Sequence, residues 1–160
     1  MTNPRRLALD TSVAVPLLTR AHPAAAQVSD WASGKELYLA GHAAVETYSV
    51  LTRLPGAMAV TGEQAGRLIA ESFVGVLPLP ERLAGDVAAE LARAGVLGGA
   101  AYDGLVALAA KAHDAVLATR DRRAGATYEA IGVPVVLVRI SQPTQPPQPV
   151  QPDRPAGPTG

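Results

Sequence analysis

The chain contains no cysteine, which excludes disulfide staples and thiolate metal sites alike. Aromatic residues make up only 4% of it, so a core must be built from aliphatic side chains, chiefly Ala, Val and Leu. No stretch reaches the ~18 uncharged apolar residues of a membrane span. The opening "MTNPRRLALD" meets an aspartate too early to hold the apolar run of a signal peptide. Net charge is missing too: 14 acidic residues balance 14 basic ones, so a nucleic-acid partner must find positive charge locally. Lysine is scarce, two against twelve arginines, a bias that goes with the abundant alanine and carries no function. Together these absences lead us to expect a cytoplasmic protein with no membrane partner.

What is present is a chain of 160 residues, 48% hydrophobic, enough for one domain with a real core. The segment "SQPTQPPQPVQPDRPAGPTG" (141–160) holds seven of the 14 prolines and four glutamines. It has no apolar periodicity to offset its ordering entropy, which predicts a disordered tail dispensable for activity and a folded domain over 1–140. Within the domain, short apolar runs alternate with helical patterns. Strands are expected at "RRLAL", "ELYLA", "VGVLPL", "AVLAT" and "VPVVLVRI". Helices are expected at "SVAVPLLTR", "PAAAQVSDWAS", "HAAVETYSVLTRL", "TGEQAGRLIAESF", "PERLAGDVAAELARAG" and "YDGLVALAAKAH". Such alternation predicts a three-layer α/β/α sandwich with a central, mostly parallel sheet.

Sites in open parallel sheets form beyond the carboxyl ends of the strands. Asp10 closes the first strand, although Asp-Thr-Ser is also a good helix N-cap. Asp121 follows "AVLAT" among Arg120, Arg122 and Arg123, where a solvated charged turn is the simpler reading. Glu46 falls mid-helix on a stripe with His42, Ser49 and Arg53, which also suits an ordinary solvent face with Glu46 and Arg53 paired. Asp103 opens a helix, where the dipole favours a carboxylate in any case, and Gly104 beside it leaves room for a close-approaching chain or ligand. Four such carboxylates converging on one cavity would repel one another and raise their pKa values unless a cation intervened. Mg²⁺ or Mn²⁺ prefers hard oxygen ligands, activates water and stabilises charge developing on a phosphoryl group.

The order and context of these acids carry a resemblance. "LALDTSVAVPLL", "GHAAVETYSVLTRLPG" and "GGAAYDGLVALAAKAHDAVLATRDRRAGATYEAIGVPVVLV" resemble the successive motifs of PIN-domain ribonucleases, and within them VapC-type toxins of bacterial toxin–antitoxin pairs. The similarity covers about residues 5–139 and rests on the ordered set rather than on any single motif. It implies a metal-dependent endoribonuclease in which Asp10, Glu46, Asp103 and Asp121 bind Mg²⁺ or Mn²⁺ and carry catalysis. Thr11 or Ser12, and Thr119, would orient those carboxylates or the attacking water. Arg120, Arg122 and Arg123 would hold the RNA backbone. Many family members place an aromatic residue shortly after the last acid, where this chain has Arg122, Arg123 and Ala124. The resemblance also implies a homodimer and a cognate antitoxin, whose arginine would pair with the acids while a groove near "PLLTR" and "YSVLTRL" anchors its segment.

Three other readings compete. A haloacid dehalogenase-type phosphohydrolase also starts with a strand-end aspartate, but it wants a second aspartate where this chain has Ser12. A housekeeping PIN-type RNA-processing nuclease would use the same acids. A non-catalytic α/β interaction domain would keep the fold, but would be expected to have lost at least one of the four.

Overall fold

The apolar runs pair side by side, the buried ones at the centre of a sheet. In the computed structural model, which describes residues 5–139, β1 (Leu7–Leu9), β2 (Leu37–Ala40), β3 (Gly75–Leu77), β4 (Val116–Thr119) and β5 (Val135–Leu137) form one sheet. Its order is β3-β2-β1-β4-β5 and every pairing is parallel, with Leu9 opposite Leu39 on one side and Ala118 on the other. The proline-rich tail lies outside the described residues.

Eight α-helices link the strands: α1 (Thr11–Leu18), α2 (Ala25–Ala32), α3 (Ala43–Leu51), α4 (Gly62–Ser72), α5 (Glu81–Ala84), α6 (Val87–Arg93), α7 (Ala100–Ala112) and α8 (Gly125–Ile131). Residues alternate between the sheet's two faces. Leu9, Leu37, Leu39 and Ala118 pack with Val13, Val28 and Phe73 of the α1, α2 and α4 side. Ala8, Ala40 and Leu117 pack with Leu91, Val106, Tyr128 and Ile131 of the α6, α7 and α8 side. The expected three-layer sandwich is therefore the fold, with a sheet parallel throughout.

The differences from the sequence reading are local. The expected helix over 80–95 is two helices, broken at Gly85 and Asp86, both weak helix formers. Helix α8 was not expected, although Ala124, Tyr128 and Ile131 stand at helical spacing and are buried. Thr61 caps α4, and Gln64 completes the reciprocal capping box. The space beside Gly104 is filled from within. A Cβ there would meet Leu91 Cδ2 at 2.4 Å, so the glycine lets α6 pack on α7 and leaves no room for a ligand. Gly41, at φ +44°, brings the turn after β2 against α7, where a Cβ would meet Ala109 Cβ at 2.7 Å. That tight turn fixes where α3 begins.

Candidate active site

The chain leaves β1 toward β2 and β3 on one side and places β4 and β5 on the other, so a crevice opens between the carboxyl ends of β1 and β4. Asp10 follows β1 and caps α1, its Oδ1 accepting from Val13 N at 3.3 Å. Asp121 lies two residues beyond β4. Glu46, expected mid-helix, lies in the first turn of the shorter α3, and Asp103 lies in the first turn of α7. Three of the four acids thus sit at helix N-termini, where the peptide dipoles offset part of their mutual repulsion. All four line one cavity of about 1000 Å³.

Three of the four acids are held by partners of their own. Ser12 Oγ donates to Asp10 Oδ1 at 2.6 Å and Tyr128 Oη donates to Asp10 Oδ2 at 3.1 Å. Thr11 Oγ1 donates to Glu46 Oε2 at 2.7 Å. Thr119 Oγ1 accepts from Asp121 N at 3.0 Å and lies 3.4 Å from Ser12 Oγ. Asp121 is gripped by Arg123, whose backbone N donates to Oδ1 at 2.8 Å and whose Nη2 donates to Oδ2 at 3.2 Å. Asp103 has no side-chain hydrogen bond among the described residues.

The electrostatics follow from these contacts. Asp10 is 5% exposed, and burial raises its pKa against the lowering effect of Ser12, Thr119 and Tyr128. Asp103 is raised by burial first, then by the charges of Glu46, Asp121 and Asp10. Asp121 is lowered, chiefly by the hydrogen bond from Arg123. Burial next to Asp10 drives the Tyr128 hydroxyl upward, so it stays protonated as a donor to that carboxylate. A raised carboxyl pKa means that folding favours the protonated form. The stability linked to Asp103 is therefore present in acid and lost as the pH rises through its folded pKa. In EDTA at neutral pH, Asp103→Asn is accordingly expected to melt at a higher temperature than wild type. The gap should close as the pH falls below the ordinary Asp value of about 3.9, a trend that thermal melts across pH would check.

The three arginines next to Asp121 differ in what they contact. Arg120 lines the acidic cavity, and its Nη1 donates to the Ser12 carbonyl at 3.2 Å. That carbonyl is free because Pro16, one turn on inside α1, has no N–H to give it. Arg122 lines a neighbouring notch of about 210 Å³ with Arg120, Leu137, Val138 and Arg139. Arg123 is 92% exposed and closes on Asp121. The expected pairing of Glu46 with Arg53 does not form. Arg53 Nε donates instead to the Ser49 carbonyl, leaving Glu46 to Thr11.

The sequence reading passed over Tyr128 and His22, both of which line the cavity. The buried stripe of α8 was the available signal for Tyr128. His22 lies in the loop before α2, where no periodicity marks it, and its Nδ1 accepts from Ala24 N at 3.0 Å. Burial and the nearby Arg120 lower its pKa.

Among the described residues, no group of three or more acids or histidines is already drawn together at ligand distance. The donor chemistry nevertheless fits a hard divalent cation: four carboxylates, no thiolate, and an Asp103 burdened by its acidic neighbours.

A family model for the PIN domain matches residues 7–130. The chain belongs to the PIN-domain family. Among its relatives, Ribonuclease VapC27 of Mycobacterium tuberculosis is 53% identical over 131 residues, spanning 82% of this chain and 96% of that protein. Ribonuclease VapC40 of the same species is 40% identical over 136 residues, spanning 82% of this chain and 98% of that protein. The crystal structure of FitAcB from Neisseria gonorrhoeae superposes with a TM-score of 0.60 at 26% identity, covering 82% of this chain and 97% of that one. The parallel sheet and the crevice between β1 and β4 are thus the frame of a PIN domain. No helix among the described residues is long and apolar enough to cross a membrane.

Proposed function

We propose that this PIN domain is the endoribonuclease toxin of a toxin–antitoxin pair, hydrolysing RNA phosphodiesters with Mg²⁺ or Mn²⁺ held by Asp10, Glu46, Asp103 and Asp121. The observation that carries the reading is the meeting of four carboxylates, from four separate elements, in one cavity at the carboxyl ends of β1 and β4. Relatives named as VapC ribonucleases, matched over nearly their whole length, support it.

When bound, the cation supplies Lewis acidity that activates water and stabilises charge developing on the phosphoryl group. The chain's own residues prepare the site. Ser12 and Tyr128 fix both oxygens of Asp10, and Thr11 turns Glu46 inward. Arg123, largely in solvent, gives up Asp121 cheaply and is then available to a substrate phosphate. Arg120, Arg122 and Arg139 form a notch lined by no acid, which offers charge-assisted contacts to the strand and supplies locally what the zero net charge lacks.

A nuclease that attacks its own cell's RNA works in the cytoplasm and must be restrained by a partner. The cavity wall includes Val15 and Pro16 of α1 and Val50 and Arg53 near α3, so the groove expected for the antitoxin segment borders the acids themselves. An antitoxin arginine anchored there would pair with the carboxylates and compete with the cation. Val45 and Tyr48, exposed one turn apart on α3, are apolar surface for a second copy of the chain to cover. Expressing the chain alone is expected to arrest growth, and co-expressing the product of the adjoining gene to relieve it. Unimpeded growth with the chain alone would leave a housekeeping RNA-processing role in its place.

A further inference from the structure

The chain has six aromatic residues, one Trp, four Tyr and one Phe, and most of them are at least partly buried. Tyr102 is not: it is 57% exposed, on the turn of α7 that carries Asp103, and it lines the acidic cavity. Its ring lies against the His42 ring at the start of α3, with centroids 5.5 Å apart and planes 22° from parallel. Its hydroxyl makes no hydrogen bond among the described residues. The ring is therefore backed by an aromatic neighbour yet more than half exposed, at the rim of the cavity that holds the carboxylates.

We propose that Tyr102, braced by His42, is a stacking platform for one unpaired nucleobase of the RNA strand being cut. The proposal rests on the ribonuclease reading above and adds the residue that grips a base of the strand. A cavity walled by carboxylates repels a polyanion, so attraction that does not depend on charge matters most at this rim. Stacking on an aromatic face provides it and tolerates any base. Within a duplex both faces of each base are covered by its neighbours, whereas loops and single strands can splay a base out onto a ring. A two-ring stack holds its outer face in place before RNA arrives, so less conformational freedom is lost on binding.

The test is steady-state cleavage of a short fluorescein-labelled single-stranded RNA in Mg²⁺ by wild type, Tyr102→Ala and Tyr102→Phe, each shown by thermal melting to be folded. Tyr102→Ala is expected to raise KM roughly 5- to 150-fold with kcat changed little, and Tyr102→Phe to behave as wild type. A series of substrates, each with one abasic nucleotide near the cut bond, locates the stacked base. At one position the abasic substrate should raise the wild-type KM, and Tyr102→Ala should add no further loss. An unchanged KM for Tyr102→Ala would overturn the platform, the more so if the variant instead loses affinity for the antitoxin. So would a loss of equal size at every abasic position. A wild-type chain that cleaves no RNA would overturn the ribonuclease reading itself, an outcome distinct from wild type and Tyr102→Ala cleaving alike.

Discussion

Asp10→Asn is expected to leave the chain folded while cutting RNA cleavage by on the order of 10²- to 10³-fold or more. Asparagine caps helices as well as aspartate does, so the start of α1 keeps its bond from Val13 N. Burial already favours the uncharged form of Asp10, and a neutral isostere therefore meets no new desolvation cost. What disappears is the negative charge between the Ser12 and Tyr128 hydroxyls, and with it a hard ligand for the cation. Lewis-acid stabilisation is worth several kcal/mol in the transition state, and each ~1.4 kcal/mol lost is tenfold in rate. Initial rates on labelled RNA, paired with circular-dichroism melts, check both halves. A folded Asp10→Asn protein that cleaves at the wild-type rate would remove Asp10 from the site.

Chelation should have an effect as large, and a reversible one. Without a cation the cavity presents four carboxylates to a polyanionic strand, with Arg53 and Arg120 on its wall each already bonded to a backbone carbonyl. EDTA is therefore expected to abolish cleavage, and excess Mg²⁺ or Mn²⁺ to restore it. The same cation should raise the melting temperature, because a ligand at 100 times its Kd stabilises the folded state by about 2.7 kcal/mol. Asp103→Asn should reverse the order of the melts, being the more stable protein in EDTA and gaining less from Mn²⁺ than wild type. Undiminished cleavage in EDTA would contradict the mechanism.

The parts of this account that were legible in the sequence are those written within a few neighbouring residues. Asp10 and Asp121 each end an apolar run, and parallel pairing of β1 with β4 then carries them to one crevice. The capping motif at Thr61 is equally local. What was not legible depends on contacts between distant parts of the chain. Tyr128 reaches Asp10 across 118 positions. Arg120 reaches Ser12 across 108, and only the sheet order shows that the carbonyl freed by Pro16 lies beside it. The role of Gly104 was misread because its neighbour, Leu91, comes from a helix whose break at Gly85 and Asp86 no apolar pattern marks. Adjacent arginines read as one basic turn, yet Arg120 bonds the Ser12 carbonyl, Arg122 lines the notch that Arg120 borders, and Arg123 turns back onto Asp121.

Direct titration of Mn²⁺ into metal-free protein, by calorimetry or by electron paramagnetic resonance of the free ion, tests whether four carboxylates form one cation site. Wild type should bind, and each of Asp10→Asn, Glu46→Gln, Asp103→Asn and Asp121→Asn, while still folded, should bind distinctly more weakly. Mn²⁺ affinity unchanged in all four variants would contradict the account.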